Sequence, residues 1–598
     1  MENIPNDYEY KPLDPAKNEI RLLELYADGE SSQIRARLFS HSLDDISIYD
    51  ALSYTWGDPG TTKAIELDGD KTFHIFASLE QTLKDIRSED KSLVIWVDAI
   101  CIDQRNASER NNQVTMMKMI YEKALLVHIW IDVDVDLPAP LREKLEEIKL
   151  GTPLDAGDDP TFWDPVLHVF DQRYWSRVWI HQEVACAAEL LLHCRRTTAP
   201  VLGLLTFAYQ MTKSWNASDA RIEWVPLYKS IGNFRGRLLL ELRYLRLVQS
   251  RHLEHRIGHE FRSHLLSLLN STRQLGCQNP RDRVYGIMHL AQDFEYGAIQ
   301  VDYELSVAAV YCSVPRYFVE SYERYGPSGC LSFLCLVTSE SLGSVHGLPS
   351  WCPDWSSPKP ASIVTDMRVS DEDPPFIPVA GQVRGKRPWF SHDGQILHAQ
   401  GFCLETVSAM CLESMTDLIE GDLPVSEILA ACLAMMADED DQLPAEMDAN
   451  NFCLPLLRSL IAGQEFAEAE SAWAELIELS KDPVMSTISL DSSRPLLSKN
   501  VLELLSSLAL AGNDRTPFRG DGGSIGLIPK EALFYDQVWI LFDCPVPVVM
   551  RPLDDCYEVV GVAYIDGFMH GEACLDMPQD VSAEGSYGGY EIATVQIK

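Results

Sequence analysis

The sequence predicts an α/β fold: a parallel sheet in the N-terminal third, a mostly helical middle and a small β-rich C-terminal region. Three observations carry this. Between Tyr49 and Ile131 short apolar runs alternate with amphipathic stretches, the pattern of strand–helix–strand crossovers over a parallel sheet. From about residue 200 to 320 the apolar spacing is mostly helical. The last eighty residues return to short strand patterns punctuated by Gly and Pro.

The elements follow in order. Glu19–Ala27 and Gln33–Phe39 alternate apolar and polar residues around an Asp28-Gly29 turn signal. Tyr49–Trp56 reads as a short strand stopped by Gly57-Asp58-Pro59-Gly60. Leu79, Leu83 and Ile86 give Ala77–Arg87 one apolar helical face, and Leu93–Val97 is the unbroken apolar run of a buried parallel strand. Val114, Met117, Ile120, Tyr121 and Ala124 line one face of a helix from Glu109. That helix must end near Ala124, because Leu125–Ile131 is again a strand. Asp132–Pro160 is a break rich in Asp, Pro and Gly. Helix resumes at about Tyr174–Ala188, with Trp175, Trp179 and Glu183 at four-residue spacing. Gln537–Asp543 and Tyr557–Ile565 are strands of the C-terminal region. The expected divisions are 1–44, a β extension; 45–195, the α/β domain; 196–400, mostly helical; 401–510, acidic and helical; and 511–598, β-rich.

Charge and composition exclude several classes. The 598 residues carry a net charge of −39, which repels phosphate backbones, so nucleic acid is not an expected partner. Of that excess, −16 lies between Glu405 and Asp482, where 18 acidic residues face 2 basic ones. With 46% hydrophobic and 23% charged residues the chain is not wholly disordered. No apolar run approaches the ~18–20 residues of a membrane span, and the N-terminus has no signal-peptide pattern. Fifteen cysteines without a CxxC pair argue against a zinc site or a secreted disulfide framework. A soluble cytoplasmic protein is expected.

Three segments bear the most specific signal: YDALSYTWGD (Tyr49–Asp58), IWVDAICIDQRNASERNNQVTMMKMIYEKALLVHIW (Ile95–Trp130) and YWSRVWIHQEVACA (Tyr174–Ala187). In this order and separation they resemble the heterokaryon-incompatibility (HET) domain family of filamentous fungi. DRVYGIMHLA (Asp282–Ala291), LPSWCPDWS (Leu348–Ser356) and the C-terminal GSIGLIPKEA and VGVAYIDGFMHGEA resemble its longer members. Two positions depart from the family pattern: Asp103 stands where Asn is common, and Ser78 lies near another such Asn. The resemblance implies a role in nonself recognition, innate immunity and programmed cell death. It also implies other incompatibility proteins and further copies of the chain as partners.

The HET family is distantly similar to TIR domains, which have a flavodoxin-like sheet, and some of which cleave NAD at the nicotinamide–ribose bond with a helical Glu. Ser176-Arg-Val-Trp179-Ile-His-Gln-Glu183 is similar to the TIR motif around that Glu, which makes Glu183 the candidate catalytic carboxylate. No cofactor is implied; NAD enters as substrate. Breaking an N-glycosidic bond develops oxocarbenium character, which a carboxylate stabilises, and the nicotinamide of NAD leaves without needing a proton. In such a sheet the ligand sits outside the carboxyl ends of the strands. There the candidate substrate-binding residues fall: Ser53, Tyr54, Trp56, Gly57 and Asp58 after one strand, Asp98 and Asp103 after the next, with Trp179 on the Glu183 helix. Several residues of these motifs have a plainer alternative. Glu183 can pair with Arg177, Trp175 and Trp179 can pack in a core, Asp98 can cap a turn, and Glu109 can meet a helix dipole. A non-catalytic assembly module is the alternative function.

Other patterns point nowhere. Gly522-Gly-Ser524-Ile-Gly526 matches GxSxG without the strand–turn–helix context of a hydrolase elbow. His252, His255 and His259 share a helical face with Arg251 and Arg256, whose charge opposes a cation, and the basic run Arg235–Arg256 suits internal pairing.

Overall fold

The computed structural model describes residues 8–27, 33–46, 49–57, 60–69, 71–148, 160–195, 197–215, 264–325, 329–338, 345–358, 383–411, 471–475 and 514–598, with isolated positions between them. Asp58, the run Arg235–Arg256, the three clustered histidines and most of the acidic 405–482 stretch lie outside the described residues. The chain forms two compact units, Met1–Ser306 and Val307–Lys598.

Among the described residues the first unit has nine strands: β1 (Glu19–Leu25), β2 (Arg35–Ser42), β3 (Asp50–Tyr54), β4 (Thr62–Leu67), β5 (Lys71–Phe76), β6 (Leu93–Trp96), β7 (Val127–Ile131), β8 (Leu190–Cys194) and β9 (Thr197–Pro200). They form one sheet in the order β5-β4-β2-β1-β6-β3-β7-β8-β9. Its centre is parallel: Ala51 of β3 pairs Trp96 of β6 on one side and Val127 of β7 on the other, and β7 runs parallel with β8. In chain order these four parallel strands lie second, first, third, fourth. The outer strands are mixed, with β1 antiparallel to β6 through Leu23 and Ile95. Residues 19–42 therefore share a sheet with the α/β domain.

Helices connect the parallel strands as the periodicity predicts. In α1 (Ala77–Ile86) Leu79, Leu83 and Ile86 are buried. A four-residue helix, α2 (Asp98–Cys101), begins just past β6. In α3 (Ala107–Lys123) the Asn106 side chain caps the start by accepting from the Glu109 N–H, and Ala124 is extended. Its buried residues include Val114, Met117, Ile120 and Tyr121. Then come α4 (Ala139–Glu147), α5 (Asp164–Phe170), α6 (Ile180–Ala185) and α7 (Val201–Trp215).

One expectation fails here. The stretch 174–188 is not a single helix. A 3-10 turn at Arg173–Ser176 gives way to Arg177 at φ −80°, ψ 138°, and only then does α6 begin. The cause is tertiary: the Gly276 N–H donates to the Ser176 carbonyl and the Val178 N–H to the Gly276 carbonyl, a bridge that pulls Arg177 straight. Trp175 and Glu183 therefore do not share a helical stripe.

Among the described residues the second unit has ten strands: β10 (Trp389–Phe390), β11 (Leu397–Met410), β12 (Arg515–Gly520), β13 (Ile525–Pro529), β14 (Gln537–Leu541), β15 (Val548–Pro552), β16 (Tyr557–Val562), β17 (Tyr564–Ile565), β18 (Gly585–Tyr587) and β19 (Tyr590–Ile597). β11 pairs β14 and β19, and the chain of pairings β14-β15-β16-β19 returns to β11, closing a ring. Closure removes exposed edges. The 14-residue β11 manages this by register shifts at Cys403/Glu405 and Val407/Ala409, so that its far half pairs β12. Val407, Phe518, Ile528, Val538, Val549, Val560 and Ile565 form a shared core. The β-rich region thus starts near Trp389, well before 511. Among the described residues no helix is long and apolar enough to cross a membrane.

Candidate functional site

The carboxyl ends of β3 and β6 and the start of α6 converge on one cluster. β3 delivers Ser53 and Tyr54, both buried. Beyond it the chain passes through Trp56 and Gly57. A Cβ on Gly57 would lie 2.3 Å from the Ser78 hydroxyl oxygen, so only glycine allows this approach to the start of α1. β6 delivers Asp98 as the first residue of α2.

Glu183 is 2% exposed. Its carboxylate accepts the Ser53 hydroxyl and lies 3.4 Å from each terminal nitrogen of Arg177. The Ser53 oxygen is also 2.5 Å from the buried Tyr174 hydroxyl. Half-buried Asp98 accepts from the Trp56 indole N–H at 2.9 Å and from the Ala99 N–H at 2.7 Å. Burial, helped by the nearby Glu183 charge and opposed by Arg177, pushes Asp98 up to about 6. Tyr54 is 2% exposed, and its hydroxyl has no hydrogen-bond partner among the described residues. Burial and then the Asp98 charge raise its ionisation far above the ordinary phenol range. The outcome is a buried floor of Ser53, Tyr54, Tyr174 and Glu183 and a half-exposed rim of Trp56, Gly57, Asp98 and Arg177. Two carboxyl groups share the field of one guanidinium, an arrangement characteristic of functional sites.

α6 has six residues and is held from outside itself. Gln182 donates to the carbonyls of Tyr285 and Gly286, at 3.2 and 3.0 Å. The Trp179 indole donates to Asp282 at 3.1 Å, and Tyr303 donates to the other Asp282 oxygen at 2.6 Å. Burial pushes Asp282 up to about 6. The DRVYG segment thus anchors the Glu183 helix.

Of the sequence-derived site residues, the structure gathers Ser53, Tyr54, Trp56, Gly57, Asp98 and Glu183. Asp58 lies outside the described residues. Asp103 is placed in a turn, where its carboxylate accepts the Arg105 N–H at 3.2 Å. Trp179 faces Asp282 rather than the cluster. Glu109 forms an ion pair with buried Arg21, at 2.5 and 2.9 Å, in addition to starting α3. Tyr174, Ser78 and Asp282 were missed as contributors. Tyr174 stands inside a quoted motif, but reading that motif as one helix hid its turn toward Ser53.

The fold and this cluster define an α/β domain with a polar site at the carboxyl ends of its parallel strands. Residues 49–183 match the family profile described as "Heterokaryon incompatibility protein (HET)". That match covers the first unit from β3 to α6, the stretch that carries the cluster. It is 22% identical over 667 aligned residues to "Heterokaryon incompatibility protein 6, OR allele" of Neurospora crassa, an alignment covering 94% of this chain and 96% of that protein. No solved structure matches the chain.

Proposed function

We propose that this HET-domain protein acts in fungal nonself recognition and programmed cell death, in the cytoplasm, together with other incompatibility proteins and copies of itself. Its first unit would be a TIR-like effector that hydrolyses the nicotinamide–ribose bond of NAD. The order β6-β3-β7-β8 supports the TIR-like reading, because second-first-third-fourth is the flavodoxin-like sequence of parallel strands. The observation that carries the activity is the cluster itself, with Glu183, Asp98 and Arg177 collected at the carboxyl end of β3, the strand where that order reverses.

In this mechanism the Glu183 carboxylate, oriented by Ser53 and Arg177, stabilises the positive charge that develops on the ribose as nicotinamide leaves. Trp56 and Gly57 form a rim on which a flat ring can lie close to the backbone. The test is NAD consumption and nicotinamide release by the purified protein at concentrations where it self-associates, against Glu183→Gln. Wild type depletes NAD and the variant does not. NAD left intact by the assembled protein, or undiminished loss in the variant, rejects the mechanism.

A second reading rests on the burial of Glu183 and its full set of partners: the residue locks α6 to the sheet, and the unit is a non-catalytic assembly module. Cell killing by the expressed protein would then survive Glu183→Gln in any variant that folds.

A further inference from the structure

The cluster contains one carboxyl group more than NAD cleavage needs. Nicotinamide leaves NAD as a neutral base because it is already cationic in the substrate. A purine leaves as an anion unless a ring nitrogen is protonated, so that reaction needs a proton donor as well as a carboxylate facing the ribose. Asp98 is placed to be that donor. It stands at the end of β6, half-buried on the rim, fixed by the Trp56 indole and the Ala99 N–H, while Glu183 sits buried on the floor. The Tyr54 hydroxyl supplies an independent sign of a ligand. It is buried, lacks a hydrogen-bond partner among the described residues, and lies in the joint field of Asp98, Arg177 and Glu183. A buried donor of this kind costs stability unless something occupies it.

Resting on the N-glycosidase reading of the site, we propose that Asp98 is a general acid and that the site accepts purine ribonucleosides or ribonucleotides as substrates alongside NAD. The C1′–N9 bond breaks with its electron pair passing to the purine, and the Asp98 proton goes to a purine ring nitrogen. Water adds its oxygen to C1′ and returns a proton to Asp98. Free purine and the ribose moiety result, with Glu183 stabilising the intervening cation. Tyr54 donates its hydroxyl hydrogen to the bound nucleoside.

The groups facing Asp98 set its working range. Glu183 on α6 holds its proton on; Arg177 before α6 and the Trp56 indole favour its loss; Tyr54 on β3, Tyr121 on α3 and Cys101 on α2 lie in its field and are neutral at pH 7. The acid form falls away as pH rises through about 6. Purine release therefore declines through that range, whereas nicotinamide release from NAD carries no such limb.

The experiment compares adenine release from adenosine and from ATP with nicotinamide release from NAD, over pH 5 to 8, for wild type, Asp98→Asn and Tyr54→Phe. Wild type releases adenine with a decline above about pH 6. Asp98→Asn loses adenine release by on the order of 100-fold or more and NAD cleavage by much less, so the ratio between substrates moves. Tyr54→Phe raises the melting temperature of the ligand-free protein and loses cleavage. Nicotinamide release without adenine release, or equal losses on both substrates in Asp98→Asn, overturns the role of Asp98 and leaves the NAD reading standing. Neither base released by the assembled protein overturns both.

Discussion

Each unit of this protein buries a glutamate that accepts a serine hydroxyl. In the first unit Ser53 donates to Glu183; in the second Ser524 donates to Glu405, which is 6% exposed. The surroundings differ. Glu405 sits at a bulge of β11 and is wrapped by the β12–β13 hairpin, whose Gly522 N–H donates to it at 2.8 Å. A Cβ on Gly520 would lie 2.1 Å from its carboxylate, so the hairpin closes on it as a latch. Glu183 instead faces an arginine, a second carboxyl group and a phenol without a hydrogen-bond partner among the described residues, at the carboxyl ends of parallel strands. A serine–glutamate contact by itself marks neither chemistry nor its absence. What decides is whether the neighbouring polar groups are all satisfied within the chain or some are left for a ligand.

This contrast can be broken by substitution. Glu183→Gln should reduce N-glycosidic cleavage by about 100-fold or more, the scale of losing a charge-stabilising group, with the fold retained by circular dichroism. Equal activity in the variant would erase the distinction between the two glutamates. Gly520→Ala forces a methyl onto Glu405 and should destabilise the second unit by about 1–3 kcal/mol in denaturant unfolding, with cleavage unchanged.

Asp543 adds a pH test of the same idea, being a buried carboxyl with one oxygen lacking a partner among the described residues. Burial, opposed by Tyr322 and Arg384, pushes it up to about 7. The folded state then binds a proton that the unfolded chain has released, so this group's contribution is favourable at low pH and is lost as pH rises from its ordinary carboxylate range through about 7. Asp543→Asn should flatten that decline in melting temperature, and an unchanged slope would refute it. Asn is tolerated at its φ of +67°.

Smaller effects follow. Ser524→Ala removes one hydrogen bond to Glu405 and should cost about 1 kcal/mol without altering cleavage. Loss of activity there would revive the GxSxG motif as a site. Tyr54→Phe should stabilise the ligand-free protein by about 1 kcal/mol, since it removes a buried hydroxyl that has no partner among the described residues.

What the sequence revealed was local. β3, β6, β7, α1 and α3 follow from apolar runs and helical spacing, and the end of α3 at Ala124 follows from the strand that must succeed it. Grouping Trp56, Asp98 and Glu183 needed the family resemblance as well as the rule that ligands sit at carboxyl strand ends. The break at Arg177 was hidden because the group that straightens it, Gly276, is remote in sequence. β11 was hidden for a related reason: apart from the two-residue β10, its partners β12, β14 and β19 all follow residue 514, remote in the chain. Asp103 and Trp179 were placed by proximity in sequence to other site residues, and their hydrogen bonds lead elsewhere.

The anchoring of α6 by residues 279–303 bears on how this domain can be isolated. The family match ends at residue 183, within the six-residue helix it helps define. A fragment cut at 195 keeps Ser53, Trp56, Asp98, Arg177 and Glu183 and discards Gly276, Asp282, Tyr285 and Tyr303, the groups that straighten Arg177 and hold α6 in place. Such a fragment would display the motif on a helix too short to persist unsupported. The smallest piece that brings its own scaffold extends to Ser306, where the first compact unit ends. Inactivity of a shorter piece would report a missing buttress rather than a missing chemistry.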